Sequence, residues 1–471
     1  MRRGMMFRKT LALGAAMVAL ALPGIAWASA QTVNNGSQFV TTTGGQIDAH
    51  GGGVIKVGSY YYFLGENRNP DYSFRAVSMY RSTDLKTWEF RNDVLKSSSA
   101  SELNGANIER PKILYNAATR KYVLWAHWEN GKDYGEARVA VATSDTVDGN
   151  YTYLGSFRPL DYDSRDMTVY QDSDGTGYLI SSSNVNYDLN VYKLSADYTK
   201  VDSLLTVIKG YHREAPALVK RNGVYFLITS GATGWNPNRA AYFTATSLAG
   251  PWTGPTYFGH DTTYNSQSTY ILPVQGSSGT SYLYMGDRWG PAIGQIVNDS
   301  TYVWLPLTFP TNTSLDFTGT ASQITIDAAA GTIALGSPNT QLVKMQVAHS
   351  GQCANISNDS PYYNGTAIQW TCTNTSNELV ERRPIGNYTQ YVVQRSGLCL
   401  AQADDNGSGG AVVQTSCSIG DKSQWTYNGT TIVNRASGSC LDVNEASTDT
   451  GTKLIVWPCN GGGNQRWTMI N

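Results

Sequence analysis

Two unrelated internal repeats divide this 471-residue chain, and together they leave few folds open. The first spans roughly residues 40–310. Five times an aromatic-rich segment follows a turn: Tyr60-Tyr61-Tyr62-Phe63-Leu64, Lys121-Tyr122-Val123-Leu124-Trp125, Gly177-Tyr178-Leu179-Ile180, Val224-Tyr225-Phe226-Leu227-Ile228 and Ser281-Tyr282-Leu283-Tyr284-Met285. Val57-Gly58-Ser59, Asp174-Gly175-Thr176 and Asn222-Gly223 supply turn signals just before them. In most units a second, alternating segment follows, as at 77–81, 139–143 and 241–244. A period of about fifty residues with several strands per unit predicts propeller blades. Five units predict an all-β fold that starts with a five-bladed β-propeller. A β-sandwich with coincidental spacing is the alternative, and the recurring order of strand and turn argues against it. Segments 324–327 and 332–335 read as strands closing the propeller.

The second repeat begins near Gln341. Its units open on Ser350-Gly351-Gln352-Cys353, Ser396-Gly397-Leu398-Cys399 and Ser437-Gly438-Ser439-Cys440, and each opening cysteine is followed about twenty residues later by another. These hold all six cysteines of the chain, an even number that reads as a disulfide framework with fifteen possible pairings. The last unit ends in Gln465-Arg466-Trp467. Three units of about forty residues predict a three-lobed β-trefoil. Ser337-Pro338-Asn339 marks the boundary, so 31–338 and 339–471 are the expected domains.

Residues 1–30 read as a signal peptide. Arg2, Arg3, Arg8 and Lys9 precede an apolar stretch that ends at Trp27, and Ala28-Ser29-Ala30 is a cleavage site. No later apolar run is long enough to span a bilayer. A secreted, extracellular protein with no membrane partner is expected. A net charge of −1 with 15% charged residues argues against a nucleic-acid partner. The 30 Tyr and 12 Trp supply flat faces that suit a neutral polysaccharide. A monomer is expected.

Two units carry carboxylates in settings suited to glycoside cleavage, which in its inverting form uses an acid and a separate water-activating group. They are Glu214 in Arg213-Glu214-Ala215-Pro216 and Asp166 in Ser164-Arg165-Asp166. Segment 214–223 resembles the general-acid motif of glycoside hydrolase family 43, and 166–175 resembles the blade of its third carboxylate. Segment 51–58 resembles the water-activating blade, but Gly51 stands where that family has its base aspartate. The exo-β-1,3-galactanase branch lacks this base. The chain is similar to that branch over nearly the whole propeller, including Asp48-Ala49-His50-Gly51-Gly52, Ile108-Glu109-Arg110-Pro111-Lys112, Tyr134-Gly135-Glu136-Ala137 and Asn265-Ser266-Gln267-Ser268-Thr269.

The resemblance implies that Glu214 is the general acid and that Asp166 raises its pKa by like-charge proximity. It implies that Gln267 holds the attacking water, or acts as base through its imidic-acid tautomer, and that Glu109 binds substrate hydroxyls near that water. Glu66, Tyr134, Asn186, Thr233 and Gly234 are expected in the sugar pocket. Trp128, Trp235 and Trp289 either stack on sugar or pack in the core. His50 and His127 have no metal-ligand spacing, and no metal or cofactor is expected.

Residues 341–471 resemble ricin-B-type lectins, carbohydrate-binding module family 13. The resemblance implies disulfides Cys353–Cys372, Cys399–Cys417 and Cys440–Cys459. It implies a galactose-type site in the third lobe from Asp442, Trp457, Asn464 and Gln465, with Ile455 where a Gln is usual. In the first lobe it points to Asn355, Trp370 and Asn377, with Glu378 in place of a Gln. The second lobe has Ala401, Thr415, Lys422 and Ser423 at these positions and is expected to be inert. The whole then reads as a secreted, inverting exo-β-1,3-galactanase releasing galactose from the non-reducing end of arabinogalactan's β-1,3-galactan backbone, held on polymer by its lectin. The alternatives are another family 43 activity, α-L-arabinofuranosidase or β-xylosidase, and a non-catalytic galactan-binding lectin.

Overall fold

The computed structural model describes residues 1, 30–259, 262–318, 321, 323–336, 342–360, 362–385, 387–403, 408–415, 417 and 420–470. The expected signal peptide and the 337–341 boundary lie outside the described residues. Among the described residues, no helix is long and apolar enough to cross a membrane.

Each aromatic segment is a strand, but it is the second strand of its sheet. A lead strand precedes it: His50–Val57, Asn107–Asn116, Met167–Gln171, Arg213–Arg221 and Gln267–Gly276 each begin a four-stranded antiparallel sheet. The lead strands carry small and polar residues, so hydrophobic pattern alone points to their aromatic neighbours. They pack against one another in a closed ring. A hydrophobic core fills each gap between neighbouring sheets, as where Leu64 and Met79 meet Leu124 and Ala140.

The expected count of five sheets falls one short. Gln31–Asn34, Gln323–Asp327 and Thr332–Leu335 form a sixth, three-stranded sheet, giving a six-sheet propeller arrangement. It has no aromatic-rich strand, so the repeat does not register it. Its Val33, Ile324 and Ile326 enter the core between the fifth sheet and the first, beside Trp88 and Trp304.

The strands from Leu342–Val347 to Trp467–Ile470 form one twelve-stranded sheet that closes on itself as a barrel around Met345, Tyr391, Trp425 and Trp467. Its disulfides are Cys353–Cys372, Cys399–Cys417 and Cys440–Cys459, each joining residues 18 or 19 apart. In the chain-entropy account such loops stabilise by about 3 kcal/mol each.

Candidate active site

A cavity of about 390 Å³ opens where the lead strands meet. Four of the five strands are irregular at this end. The antiparallel register breaks between His50 and Gly53, Glu109 and Lys112, Glu214 and Ala217, and Ser268 and Tyr270. Such bulges re-aim the side chains beside them. Gly51, Arg110 and Ala215 occupy matching places just past the first break residue, with φ of +63°, +55° and +53°. His50, Glu109, Glu214 and Gln267 sit at or beside the breaks. All but His50 line the cavity.

Glu214 accepts from two neutral amides, Gln267 Nε2 at 2.8 Å and Asn186 Nδ2 at 3.1 Å. Burial, then the nearby negative charge of Asp166, pushes its carboxyl up to about 8. Asp166 accepts from the backbone N–H of Ala215 at 3.0 Å, and Arg110 Nη2 lies 3.0 Å from the same Oδ2. The third carboxylate is thus fixed against the residue that follows Glu214.

Gln267 has a full set of partners. Its Nε2 donates to Glu214 and to Ser230 Oγ at 2.9 Å, while its Oε1 accepts from Arg110 Nη2 at 2.5 Å and Trp289 Nε1 at 2.7 Å. The amide touches the acid. This is not the roughly 6.5–9.5 Å separation across which an inverting pair admits water. The reason is local: Ser268 Oγ bonds Ala215 O at 2.7 Å and draws the two lead strands together.

The opposite wall is ionic. Arg68 Nη2 bridges Glu66 Oε2 at 2.8 Å and Glu109 Oε1 at 2.7 Å, and Tyr134 OH donates to Glu109 Oε1 at 2.7 Å. Burial pushes the Glu66 carboxyl above its ordinary range. Glu109 is also buried, but hydrogen bonding from His127 and the charge of Arg68 outweigh this and hold it well below the carboxylate range. His127 is pushed up to about 9, because its bonds to Glu109 (3.1 Å) and Glu129 (2.9 Å) outweigh burial. Glu129 is anchored by the N–H groups of Glu136 and Ala137.

Donor atoms of Glu109, His127 and Asp166 lie within 4.8 Å of one another, the one set among the described residues with metal-like spacing. Both His127 nitrogens face carboxylates and the ring is held protonated, so it has no lone pair for a cation. His50 instead bonds Asp287 Oδ1 at 3.1 Å.

Gly51 has no room for a side chain. A Cβ there would lie 2.3 Å from Glu66 Oε1 and 3.4 Å from the Arg110 nitrogen. The carboxylate of Glu66 fills the place that an aspartate at 51 would need.

Of the expected pocket residues, Glu66, Tyr134, Asn186 and Gly234 line the cavity, as do Trp235 and Trp289. Thr233 does not: its hydroxyl donates to Asn236 O in a surface turn. Trp128 is a core residue, donating to Glu102 O beneath Arg138. Sequence reasoning missed Arg68, Arg110, Arg165 and His212 in the lining. Arg110 carried a signal, since Glu109-Arg110-Pro111 and Glu214-Ala215-Pro216 share a pattern whose middle residue has positive φ.

In the barrel, Asp442 accepts from Asn464 at 3.0 Å and Gln465 at 2.7 Å, and Trp457 stands 43% exposed beside them in sequence register. The matching first-lobe residues line a second cleft. Asn377 donates to Asn355 Oδ1 at 2.8 Å, and Trp370 is 45% exposed. Glu378 accepts from Thr373 N, as Gln465 accepts from Asn460 N, but a carboxylate has no N–H to return to Asn355. In the second lobe Ala401 is buried and offers no acceptor.

Residues 47–269 match glycosyl hydrolases family 43, and residues 341–467 match the ricin-type beta-trefoil lectin domain. The chain is similar to an exo-beta-1,3-galactanase from Clostridium thermocellum, at 44% identity over 93% of this chain and 99% of that one, with a TM-score of 0.65. It is similar to an exo-beta-1,3-galactanase from Phanerochaete chrysosporium solved with galactose, at 30% identity over 93% and 92% of the two chains (TM-score 0.64). A variant of that fungal enzyme was solved with beta-1,3-galactotriose (30% identity, 93% of each chain, TM-score 0.63).

Proposed function

The chain belongs to glycosyl hydrolases family 43, and from that premise we propose that it is a secreted, inverting exo-β-1,3-galactanase. One observation carries the reading: Glu214, pushed up to about 8, stays protonated at neutral pH inside a cavity of sugar-sized volume. A protonated carboxyl is what a glycosidic oxygen needs as it leaves.

In this reading Glu214 gives its proton to the leaving oxygen, and Asp166 keeps that proton in place until then. Glu109 and Tyr134 accept and donate to galactose hydroxyls, held rigid by Arg68 and His127. Trp235 and Trp289 cover the apolar sugar face. Gln267 orients the water, which replaces one of the donors on its Oε1 as the sugar enters; the proton this water sheds on attack at the anomeric carbon passes to solvent, from which Glu214 is reprotonated. An amide has little basicity, so its contribution is positioning, a term that can remove several kcal/mol of barrier. The relatives solved with galactose and with beta-1,3-galactotriose support the substrate class.

We take 31–338 as the catalytic domain and 339–471 as a β-trefoil that binds galactose-type sugars through Asp442, Trp457, Asn464 and Gln465, with a weaker site at Asn355, Trp370 and Asn377. Export through a cleaved signal peptide and a galactan backbone of arabinogalactan as substrate belong to the same reading.

The test is product analysis on linear β-1,3-galactan beside arabinan and xylan. Galactose as the sole early product, in the α-anomer by proton NMR and from galactan alone, supports inverting exo-action. Retained galactan binding with no product from any polymer replaces the reading with a lectin.

A further inference from the structure

The segment leading into Gln267 runs in an unfavourable conformation. Thr263, Tyr264 and Asn265 have φ of +50°, +55° and +59°, and none is glycine. Left-handed backbone is unfavourable for such residues, and it persists where neighbours over-determine it. Here part of that support comes from the other half of the chain. Asn265 Nδ2 donates at 2.8 Å to the carbonyl of Gln394 in the C-terminal barrel. Arg288 donates through Nη2 to Tyr264 O at 3.0 Å and through Nε to Asn265 O at 3.3 Å.

Behind Arg288 stands Gly397, in the second Ser-Gly-x-Cys turn of the barrel. A Cβ at Gly397 would lie 2.1 Å from Arg288 Nη1. The equivalent glycines of the other two turns, Gly351 and Gly438, share its backbone, with φ of +71° and +67° against +69°, yet a Cβ on either meets nothing within 4 Å. One turn in three is therefore packed onto the catalytic sheet. On the other side of Arg288, the adjacent Trp289 bonds Gln267 Oε1.

We propose that the C-terminal barrel is a positioning element of the catalytic cavity: its Gly397 turn backs Arg288, which grips the 264–265 carbonyls and fixes Gln267 beside Glu214. The proposal rests on the roles given above to Gln267 and Glu214, and it assigns the lobe without a sugar-binding aspartate a mechanical task.

The experiment compares Gly397→Ala with Gly351→Ala and Gly438→Ala in the full-length, disulfide-bonded protein. All three carry the same backbone penalty, and one of them displaces Arg288. Two readouts are taken: kcat and KM on β-1,3-galactotriose, and amide hydrogen exchange across 262–268. The expected result is a kcat lower by about tenfold or more in Gly397→Ala, with KM within about twofold and faster exchange in that segment, and both controls like the parent. Identical kcat and exchange in all three variants overturns the proposal. A parent without turnover sinks the functional reading instead, while the exchange comparison still decides the brace. If Gly397→Ala does not fold, Asn265→Ala breaks the contact with Gln394 from the catalytic side, and unchanged exchange and kcat there overturn the proposal equally.

Discussion

At Gly51 two constraints coincide, a left-handed φ and a neighbouring carboxylate 2.3 Å from any Cβ. Restoring an acidic residue by Gly51→Asp therefore forces Glu66 off Arg68 and the Arg110 N–H. We expect no gain in kcat and a fall in Tm; at about 2–4 °C per kcal/mol for a domain of this size, several degrees in a thermal melt. The alkaline limb of activity belongs to Glu214. The acid works protonated, so kcat/KM should fall as pH rises through about 8. Asp166→Asn removes a charge that raises this pKa, and a pH–rate profile should show the limb displaced to lower pH. Glu214→Gln should cost about 10²–10⁴-fold in turnover and leave retention on galactan intact. The folded state also loses stability as pH rises. Glu214 is raised above its unfolded value, so its contribution is complete below the ordinary carboxyl range and is lost as pH rises through about 8. His127, raised to about 9, adds a second loss between its ordinary value and 9.

The bulged lead strand is the element that makes the site. In the second and fourth sheets the break turns a glutamate into the cavity and passes the next residue through positive φ, which is why Glu109-Arg110-Pro111 and Glu214-Ala215-Pro216 look alike. Glu109, Glu214 and Gln267 were legible through their surrounding motifs. Arg68 was not, because it closes an aromatic strand and its bridge from Glu66 to Glu109 depends on a partner brought in from the second sheet. Nor was the contact between Gln267 and Glu214, which depends on how closely two lead strands approach. In the barrel, the Ser-Gly-x-Cys repeat made the disulfides legible, whereas the loss at Glu378 of the N–H that Gln465 gives to Asp442 shows its effect only in the bonding. Asp442→Ala removes the carboxylate that Asn464 and Gln465 hold. It should weaken retention on insoluble galactan in a pull-down while kcat on galactotriose stays at the parent value.

Across the whole molecule, the aromatic repeat announced five sheets; two strands of the sixth were legible at 324–327 and 332–335, but their partner Gln31–Asn34 lies at the opposite end of the domain and shares no motif with them. Gln31–Asn34 pairs with Gln323–Asp327, so the two ends of the domain are stitched together beside the joint between the first and fifth sheets. Val33 is 4% exposed there. Val33→Asp buries an unpaired charge in that joint, and differential scanning calorimetry should show the propeller transition lowered and the barrel transition unmoved.

The ring of lead strands also sets when the chain first becomes able to act. All five four-stranded sheets contribute to the cavity, from Glu66 in the first to Gln267 in the fifth, so no short contiguous stretch of sequence holds the whole site. A partly synthesised chain is inert until the fifth of these sheets is complete, and a break that frees one of them dismantles the site. Joining the old ends and opening the chain between two sheets, by contrast, leaves every wall in place, so circular permutants should keep their turnover where truncations keep none.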